Sequence, residues 1–282
     1  MQELRPPAVI LLDIDGTLVN YHADLPDSAV AAVREARGRG HRIYLCTGRS
    51  RAEIYPELWD LGVDGLIGGN GSYIEDAGRV VFHQVLDPEV VERAIAWMVA
   101  EDLGFYLECN SGLFGSDNLP EKAAMIHGGG PENVQRMRDG FPHMIYDITA
   151  GHDDVNKISF VLEPQVDLAW LAREFAGDAK VDSWTLTGRA QEFGEFGQIG
   201  IHKGAAVHQL AEHLGTHVGE MIAFGDARSD LELLTTCGIG VAMGNAPDEL
   251  KEAADLVTDH VDSNGLANAF ARLGLIASAP TN

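Results

Sequence analysis

The stretch "ILLDIDGTLV", residues 10–19, runs through branched apolar residues to Leu12 and then breaks into two aspartates, Asp13 and Asp15, with Gly16 and Thr17 following at once. A short apolar run ended by acid reads as a strand buried on both faces. Residues i and i+2 of an extended segment point the same way, so the two carboxylates can face one spot at the strand's end. Two like charges side by side repel unless something positive is shared between them. The rest of the chain has to supply that partner.

Outward from this strand, the N-terminal third alternates. A helix is expected over "LPDSAVAAVREARGRG" (25–40), with Asp27 or Ser28 as cap and Gly38 and Gly40 as stop signals. "HRIYLCTGRS" (41–50) reads as a second strand ending at Thr47, and the 34 residues from Asp13 to Thr47 suit one right-handed βαβ unit. A further helix, "RAEIYPELWDLG" (51–62), carries Pro56 near its first turn or at a kink. "DGLIGGNGSYIED" (64–76) reads as a strand, with Asn70-Gly71 as a turn signal.

From residue 84 the character changes. An amphipathic helix, "DPEVVERAIAWMVAEDLG" (87–104), offers apolar positions at Val90, Val91, Ile95, Met98 and Val99. Strand-like pieces "FYLECN", "HMIYDI", "KISFVLE" and "KVDSWTLTG" follow, with turn-rich "HGGGPENV" among them. The strand–helix alternation resumes after "QIGIHKG" and continues through "GAAVHQLAEHLG", "MIAFGDA", "SDLELLTTCG", "IGVAMGNA", "PDELKEAA" and "DLVTD". The expectation is an α/β protein: a doubly wound parallel sheet built from residues 1–83 and 199–282, with an α+β domain inserted at 84–198.

Composition bounds the partners. With 282 residues, 45% hydrophobic and 22% charged, the chain can hold one large core or two smaller ones. No stretch approaches the roughly 18 apolar residues of a membrane span. Cys46, Cys109 and Cys237 are widely spaced with no CxxC pair, which argues against a disulfide framework or zinc cluster and fits a reducing cytoplasm. A net charge of −23 should repel nucleic acid and anionic membranes. It would repel a phosphorylated metabolite too, unless local cations override a field screened over about 8 Å at physiological salt.

Four short stretches stand where elements of the parallel sheet meet: Asp13 to Thr17, Thr47-Gly48-Arg49, Lys203-Gly204, and Gly225-Asp226 through Ser229-Asp230. Ligands of open α/β sheets bind at the carboxyl ends of strands. The inventory of clustered carboxylates, one hydroxyl, one ammonium and flexible turns suits phosphoryl transfer through a covalent intermediate. Clustered carboxylates favour a hard ion such as Mg²⁺, which offsets their repulsion. One aspartate can then attack phosphorus, and a carboxylic acid two residues on can protonate the leaving oxygen and later activate water. Thr47, Lys203 and the backbone N–H groups around Gly16 would bind phosphoryl oxygens. Competing motifs fail. An EF-hand loop wants glycine where Leu18 stands, no GxGxxG follows a strand, and neither a Walker loop nor a G-x-S-x-G elbow occurs. Glycosidase carboxylates would leave Lys203 and Thr47 unexplained.

In order and context these stretches resemble the haloacid dehalogenase superfamily of phosphatases: "DIDGTL" its first motif, "CTGRS" its second, Lys203 its third and "GDARSD" its fourth. The inserted domain, with "GGNGSYI" and "VAMGNAPDELKEAAD", is similar to the Cof-type subfamily with a large α/β cap (type IIB). The resemblance implies a Rossmann-like catalytic core, a cap that selects substrate, and a Mg²⁺-dependent cytoplasmic phosphatase of small phosphorylated metabolites, sugar phosphates favoured. It makes Asp13 the nucleophile and a metal ligand. Asp15 becomes the general acid/base and ligates the metal through its carbonyl, while Asp226 is the third protein ligand. Thr47, Gly48, Arg49, Lys203 and Ser229 would bind phosphate, with Asp230, Asn70 and Asn245 in support. The second aspartate separates phosphatases from the dehalogenases, which lack that acid. Ser229 departs from the asparagine usual at its position. His202 stands where a small polar residue is expected, and Arg228 is an added cation. A sugar phosphomutase on the same fold, or a metabolite-binding member without catalysis, is the alternative reading. Residues 84–198 contain no motif that names the substrate.

Overall fold

Burial on both faces is what the first strand imposes. Ile10 and Leu12 enter one apolar core while Val9 and Leu11 enter the other, as the two-residue period of a strand dictates. The computed structural model describes residues 7–148, 152–184 and 192–278. The chain divides into two compact units, one of Met1–Gly48, Ile54–His83 and Ile201–Asn282, the other of Arg49–Glu53 and Gln84–Gly200. Strands are numbered here in chain order through both.

The first unit holds β1 (Val9–Leu12), β2 (Arg42–Cys46), β3 (Gly65–Gly68), β4 (Tyr73–Asp76), β5 (Arg79–His83), β12 (Met221–Gly225), β13 (Ile239–Ala242) and β14 (Leu256–Val257). They form one sheet in the order β14-β13-β12-β1-β2-β3-β4-β5. Pairing is parallel from β14 to β3 and antiparallel for β4 and β5. Helices Asp27–Gly38 and Gly265–Arg272 pack Ala32, Val33, Leu266 and Phe270 into the core on one face. Helices Lys203–Leu214 and Leu231–Thr236 pack Val207, Leu210, Leu233 and Leu234 on the other. This is a doubly wound α/β sheet, and its register sets the site: Leu12 pairs with Leu45 and with Phe224, so three strands end side by side.

The second unit holds β6 (Phe105–Cys109), β7 (Leu113–Gly115), β8 (Met144–Ile145), β9 (Val155–Val161), β10 (Lys180–Trp184) and β11 (Phe193–Gly197), in the order β10-β11-β9-β6-β7-β8. Among the described residues only β7 and β8 pair in parallel there. Leu107, Ile158, Phe160 and Phe196 line one face beneath helices Pro88–Ala100 and Leu168–Glu174. Tyr106, Val161 and Phe193 line the other, with helices Leu119–Ala124 and Pro131–Gly140. On this second face the same period also places charge: Lys157 bonds Glu108 at 3.2 Å and Glu195 at 3.3 Å.

Several local expectations are corrected. The first helix is preceded by Pro26, and neither Asp27 nor Ser28 caps it; Asp27 is instead the first helical residue, where its charge meets the helix dipole. The segment 51–62 is a 3₁₀ turn, Arg51–Glu53, and a separate short helix with Pro56 at its first position, because proline starts helices and cannot continue one. Residues 64–76 are a hairpin of β3 and β4 and not one strand, with Asn70 at φ 57° in the turn. In helix Pro88–Ala100, Val90, Val91, Ala94 and Met98 are buried, but Val99 is 58% exposed. It lies about 120° around the helix from the centre of the buried stripe. The last residues of "KVDSWTLTG" lie outside the described residues.

Candidate active site

Because β1, β2 and β12 end in register, the residues one step beyond them, Asp13, Thr47 and Asp226, emerge together. The Asp13 N–H still donates to Phe224 O (3.1 Å), prolonging the sheet to the first aspartate. Beyond it the chain turns on itself. The N–H groups of Thr17, Leu18 and Val19 all donate to Ile14 O, and Gly16 N donates to Val19 O at 2.7 Å. Gly16 has φ +84°, and a Cβ there would stand 2.1 Å from Asp226 Oδ2. Only glycine lets this turn lie against that carboxylate.

Lys203 opens helix Lys203–Leu214 and is 3% exposed. Its ammonium donates to Asp13 Oδ1 and to Asp230 Oδ1, each at 2.6 Å. Asp230 closes the turn after β12: its Oδ2 accepts the N–H groups of Asp226 (3.1 Å) and Ala227 (3.0 Å). Asp226, 1% exposed, accepts from Thr17 Oγ1 (3.2 Å), Asn245 Nδ2 (3.1 Å) and the Tyr21 hydroxyl. Asn245 also donates to Gly16 O at 2.8 Å.

Charge in this cluster is unbalanced. Oxygens of Asp13, Asp226 and Asp230 all lie within 4.8 Å of one another, with Lys203 as the cation bonded among them. Burial, then Asp230, holds Asp13 well above the usual carboxylate range, although Lys203 pulls the other way. Burial pushes Asp226 up to about 6, while the Tyr21 and Thr17 hydroxyls oppose the shift. Lys203 is the mirror case. Burial disfavours its charge, but Asp13 and Asp230 outweigh burial and hold it well above the usual range. Three buried carboxylates facing one ammonium are short of positive charge, and an all-oxygen donor set suits a hard divalent cation.

Of the expected site residues, Asp13, Lys203, Asp226, Asp230 and Asn245 come together through direct bonds. Asp15 is partly buried and bridges to Val19. Thr47, 1% exposed, accepts the Asn70 N–H at its carbonyl (3.1 Å), and Gly48 lies against Asn70, whose Oδ1 would be 3.1 Å from a Cβ there. Ser229 is exposed in the 3₁₀ turn Arg228–Asp230. Arg49 groups with the second unit, where its guanidinium donates to Glu53 O. His202 caps the Lys203 helix, accepting Ala205 N–H at 3.2 Å. Sequence reasoning left two neighbours unassigned. Thr17 lay inside the quoted motif; Tyr21 carries no pattern that marks it.

Residues 10–270 match the family described as haloacid dehalogenase-like hydrolase. A relative in Serratia proteamaculans, named HMP-PP phosphatase, is 30% identical over 245 residues, covering 85% of this chain and 84% of its own. Among solved structures, a haloacid dehalogenase-like hydrolase from Bacteroides thetaiotaomicron is 25% identical with TM-score 0.81, covering 94% of this chain and 99% of that one. The fold is also that of a sugar phosphatase of subclass IIB, at TM-score 0.75 and 24% identity over 95% of this chain and all of the other.

Proposed function

This chain belongs to the haloacid dehalogenase-like hydrolases, and from that membership we propose that it is a Mg²⁺-dependent phosphatase of small phosphorylated metabolites acting through an aspartyl-phosphate on Asp13. The observation that carries the reading is the buried chain Asp13–Lys203–Asp230, each link 2.6 Å.

Asp13 is the nucleophile. With Oδ1 held by the ammonium, its other oxygen attacks phosphorus, forming the acyl-phosphate bond as the bond to the leaving oxygen breaks. Asp15 gives its proton to that leaving oxygen. It then takes one from water, which attacks the same phosphorus and returns Asp13 as a carboxylate with inorganic phosphate released. Lys203 keeps Asp13 placed and meets charge on the transferring group, and Thr47 is assigned as a further donor. The N–H groups of Gly16 to Val19, expected from the sequence to bind phosphate, are instead spent within their own turn. Asp230 holds Lys203 by one oxygen and the β12 turn by the other. Asp13 and Asp226 would hold Mg²⁺ together with the Asp15 carbonyl, and the ion would supply charge neutralisation of the phosphoryl group. Arg49, Gly48 and Ser229 are assigned to phosphate binding, Asn70 to supporting Thr47, and Asn245 to supporting Asp226.

The substrate class rests on relatives. A relative is named HMP-PP phosphatase, and sugar phosphates are favoured among small phosphorylated metabolites. The inserted domain expected at residues 84–198 is proposed as the part that selects among them. Phosphate release from a panel of metabolite phosphates, with Mg²⁺ and with EDTA, tests this reading beside Asp13→Asn. Metal-dependent release that drops at least about 10³-fold in the variant, whose melting temperature stays near wild type, is expected. Wild-type rates in Asp13→Asn would remove the nucleophile from the mechanism.

A further inference from the structure

Asp226 is held by more than the strand-end motifs. Thr17 Oγ1 bonds its Oδ1, whereas Oδ2 takes two donors, Asn245 Nδ2 at 3.1 Å and the phenol hydroxyl of Tyr21. Tyr21 is 63% exposed, yet its hydroxyl reaches a carboxylate that is 1% exposed. The loop that presents it is built for the purpose. Asn20 Oδ1 accepts the N–H groups of His22 (2.9 Å) and Asp24 (3.0 Å), and Asn20 Nδ2 bonds Asp262 at 3.0 Å. Asn20 N closes the loop on Asp24 O at 3.0 Å, and Ala23 sits at φ 64°, a conformation a non-glycine residue adopts only when its surroundings impose it. An exposed aromatic ring gains little from its position; the bond made by its hydroxyl is what the loop secures.

We propose that Tyr21 is a positioning residue that fixes the Asp226 carboxylate for divalent-cation binding. This rests on the reading of Asp226 as a metal-holding residue. A phenol is suited to the task because it is a neutral donor. It satisfies an oxygen of Asp226 and locks the side chain's orientation without adding a charge that would compete with the cation. Asn245 shares the oxygen but is itself anchored, its Oδ1 accepting Val261 N–H at 3.0 Å, so the two approach from separately fixed elements. Removing Tyr21 leaves Oδ2 with Asn245 as its single side-chain donor and Oδ1 with Thr17, so the orientation of the carboxylate is fixed less firmly.

The test is calorimetric titration of Mg²⁺ into substrate-free wild type, Tyr21→Phe, His22→Ala and Asp226→Asn, alongside the Mg²⁺ dependence of phosphate release. Expected are a 10- to 100-fold weaker Mg²⁺ affinity in Tyr21→Phe, roughly the loss typical of a removed outer hydrogen bond to a metal ligand. His22→Ala should bind as wild type does, and Asp226→Asn should lose binding. At saturating Mg²⁺, Tyr21→Phe should recover kcat and KM to within about twofold, which general damage to the loop would prevent. Equal or tighter Mg²⁺ binding in Tyr21→Phe overturns the proposal, as does a kcat that saturating Mg²⁺ fails to restore. Retained binding in Asp226→Asn would instead overturn the assignment of Asp226 itself, and with it the role of Tyr21.

Discussion

At the scale of single residues, the site is a problem of burying negative charge. Asp226 shows it most directly. Its ordinary pKa of 3.8 is pushed up to about 6, chiefly by burial. A carboxyl whose folded pKa exceeds its unfolded one binds its proton more tightly when folded. The resulting stabilisation is complete below the unfolded pKa and is lost as pH rises through the folded pKa. The window for Asp226 therefore runs from about pH 4 to about pH 6. In EDTA, wild type should gain stability relative to Asp226→Asn as pH falls across that window, by an amount on the order of 3 kcal/mol. Denaturant titrations of the two proteins at a series of pH values read the difference. A difference that stays flat, or grows toward high pH, would mean that Asp226 is not burdened by its burial. The variant is the needed reference because carboxyls remote from the cluster titrate over the same range and cancel in the comparison, whereas Asp13, whose shift Asp226 helps to cause, contributes to the difference read.

At the scale of elements, what the sequence makes legible is what repeats or ends abruptly. "ILLDIDGT" states a doubly buried strand and its polar end. Lys203 at a helix start and Asp226 after "MIAF" could be placed by the same reasoning, even though Lys203 and Asp13 lie 190 positions apart. Elements whose reason is tertiary were not legible. β11, "FGEFG", is interrupted by two glycines and shows no strand-like run, yet Gly194 is required there because a Cβ would meet the Phe160 ring at 2.2 Å. Helix Gly265–Arg272, which closes one face of the sheet, follows a polar loop without a strong cap. Tyr21 gains its meaning only from Asp226, 205 residues away. The β3–β4 turn shows the same coupling between element and site. Gly71 has φ +111°, and a Cβ there would stand 2.8 Å from His202 O, at the entry to the Lys203 helix, while the adjoining Asn70 N–H holds Thr47 O. Gly71→Ala should cost roughly 2–3 kcal/mol, strain plus contact with backbone that cannot step aside. Gly78→Ala, at φ +75° with nothing within 4 Å, should cost only about 1 kcal/mol. Chemical denaturation separates the two. Gly71→Ala should also raise KM, because the displaced turn carries Thr47 and the start of the Lys203 helix with it, whereas Gly78→Ala should leave KM unchanged.

At the scale of the whole molecule, 43 acidic side chains against 20 basic ones set a long-range field that opposes the proposed substrate. A phosphate monoester near neutral pH is itself an anion, so its encounter with a chain of net charge −23 is slowed wherever the field is unscreened. Within the cluster Lys203 offsets part of the charge of Asp13 and Asp230, but at a range of a few ångströms and from a buried position. The field of the surface acts first and over a longer distance. Screening extends about 30 Å at 0.01 M salt and about 8 Å at 0.15 M, so added salt shortens the repulsion and leaves the buried contacts almost untouched. With Mg²⁺ kept saturating, kcat/KM should therefore rise roughly two- to fivefold between those salt concentrations. The effect belongs to encounter, so kcat at saturating substrate should not change. Repeating the titration with substrates carrying different charge makes the attribution quantitative, since the slope should steepen with each negative charge. A kcat/KM that instead falls as salt rises would mean that the cations of the site reach the approaching anion before the acidic surface does.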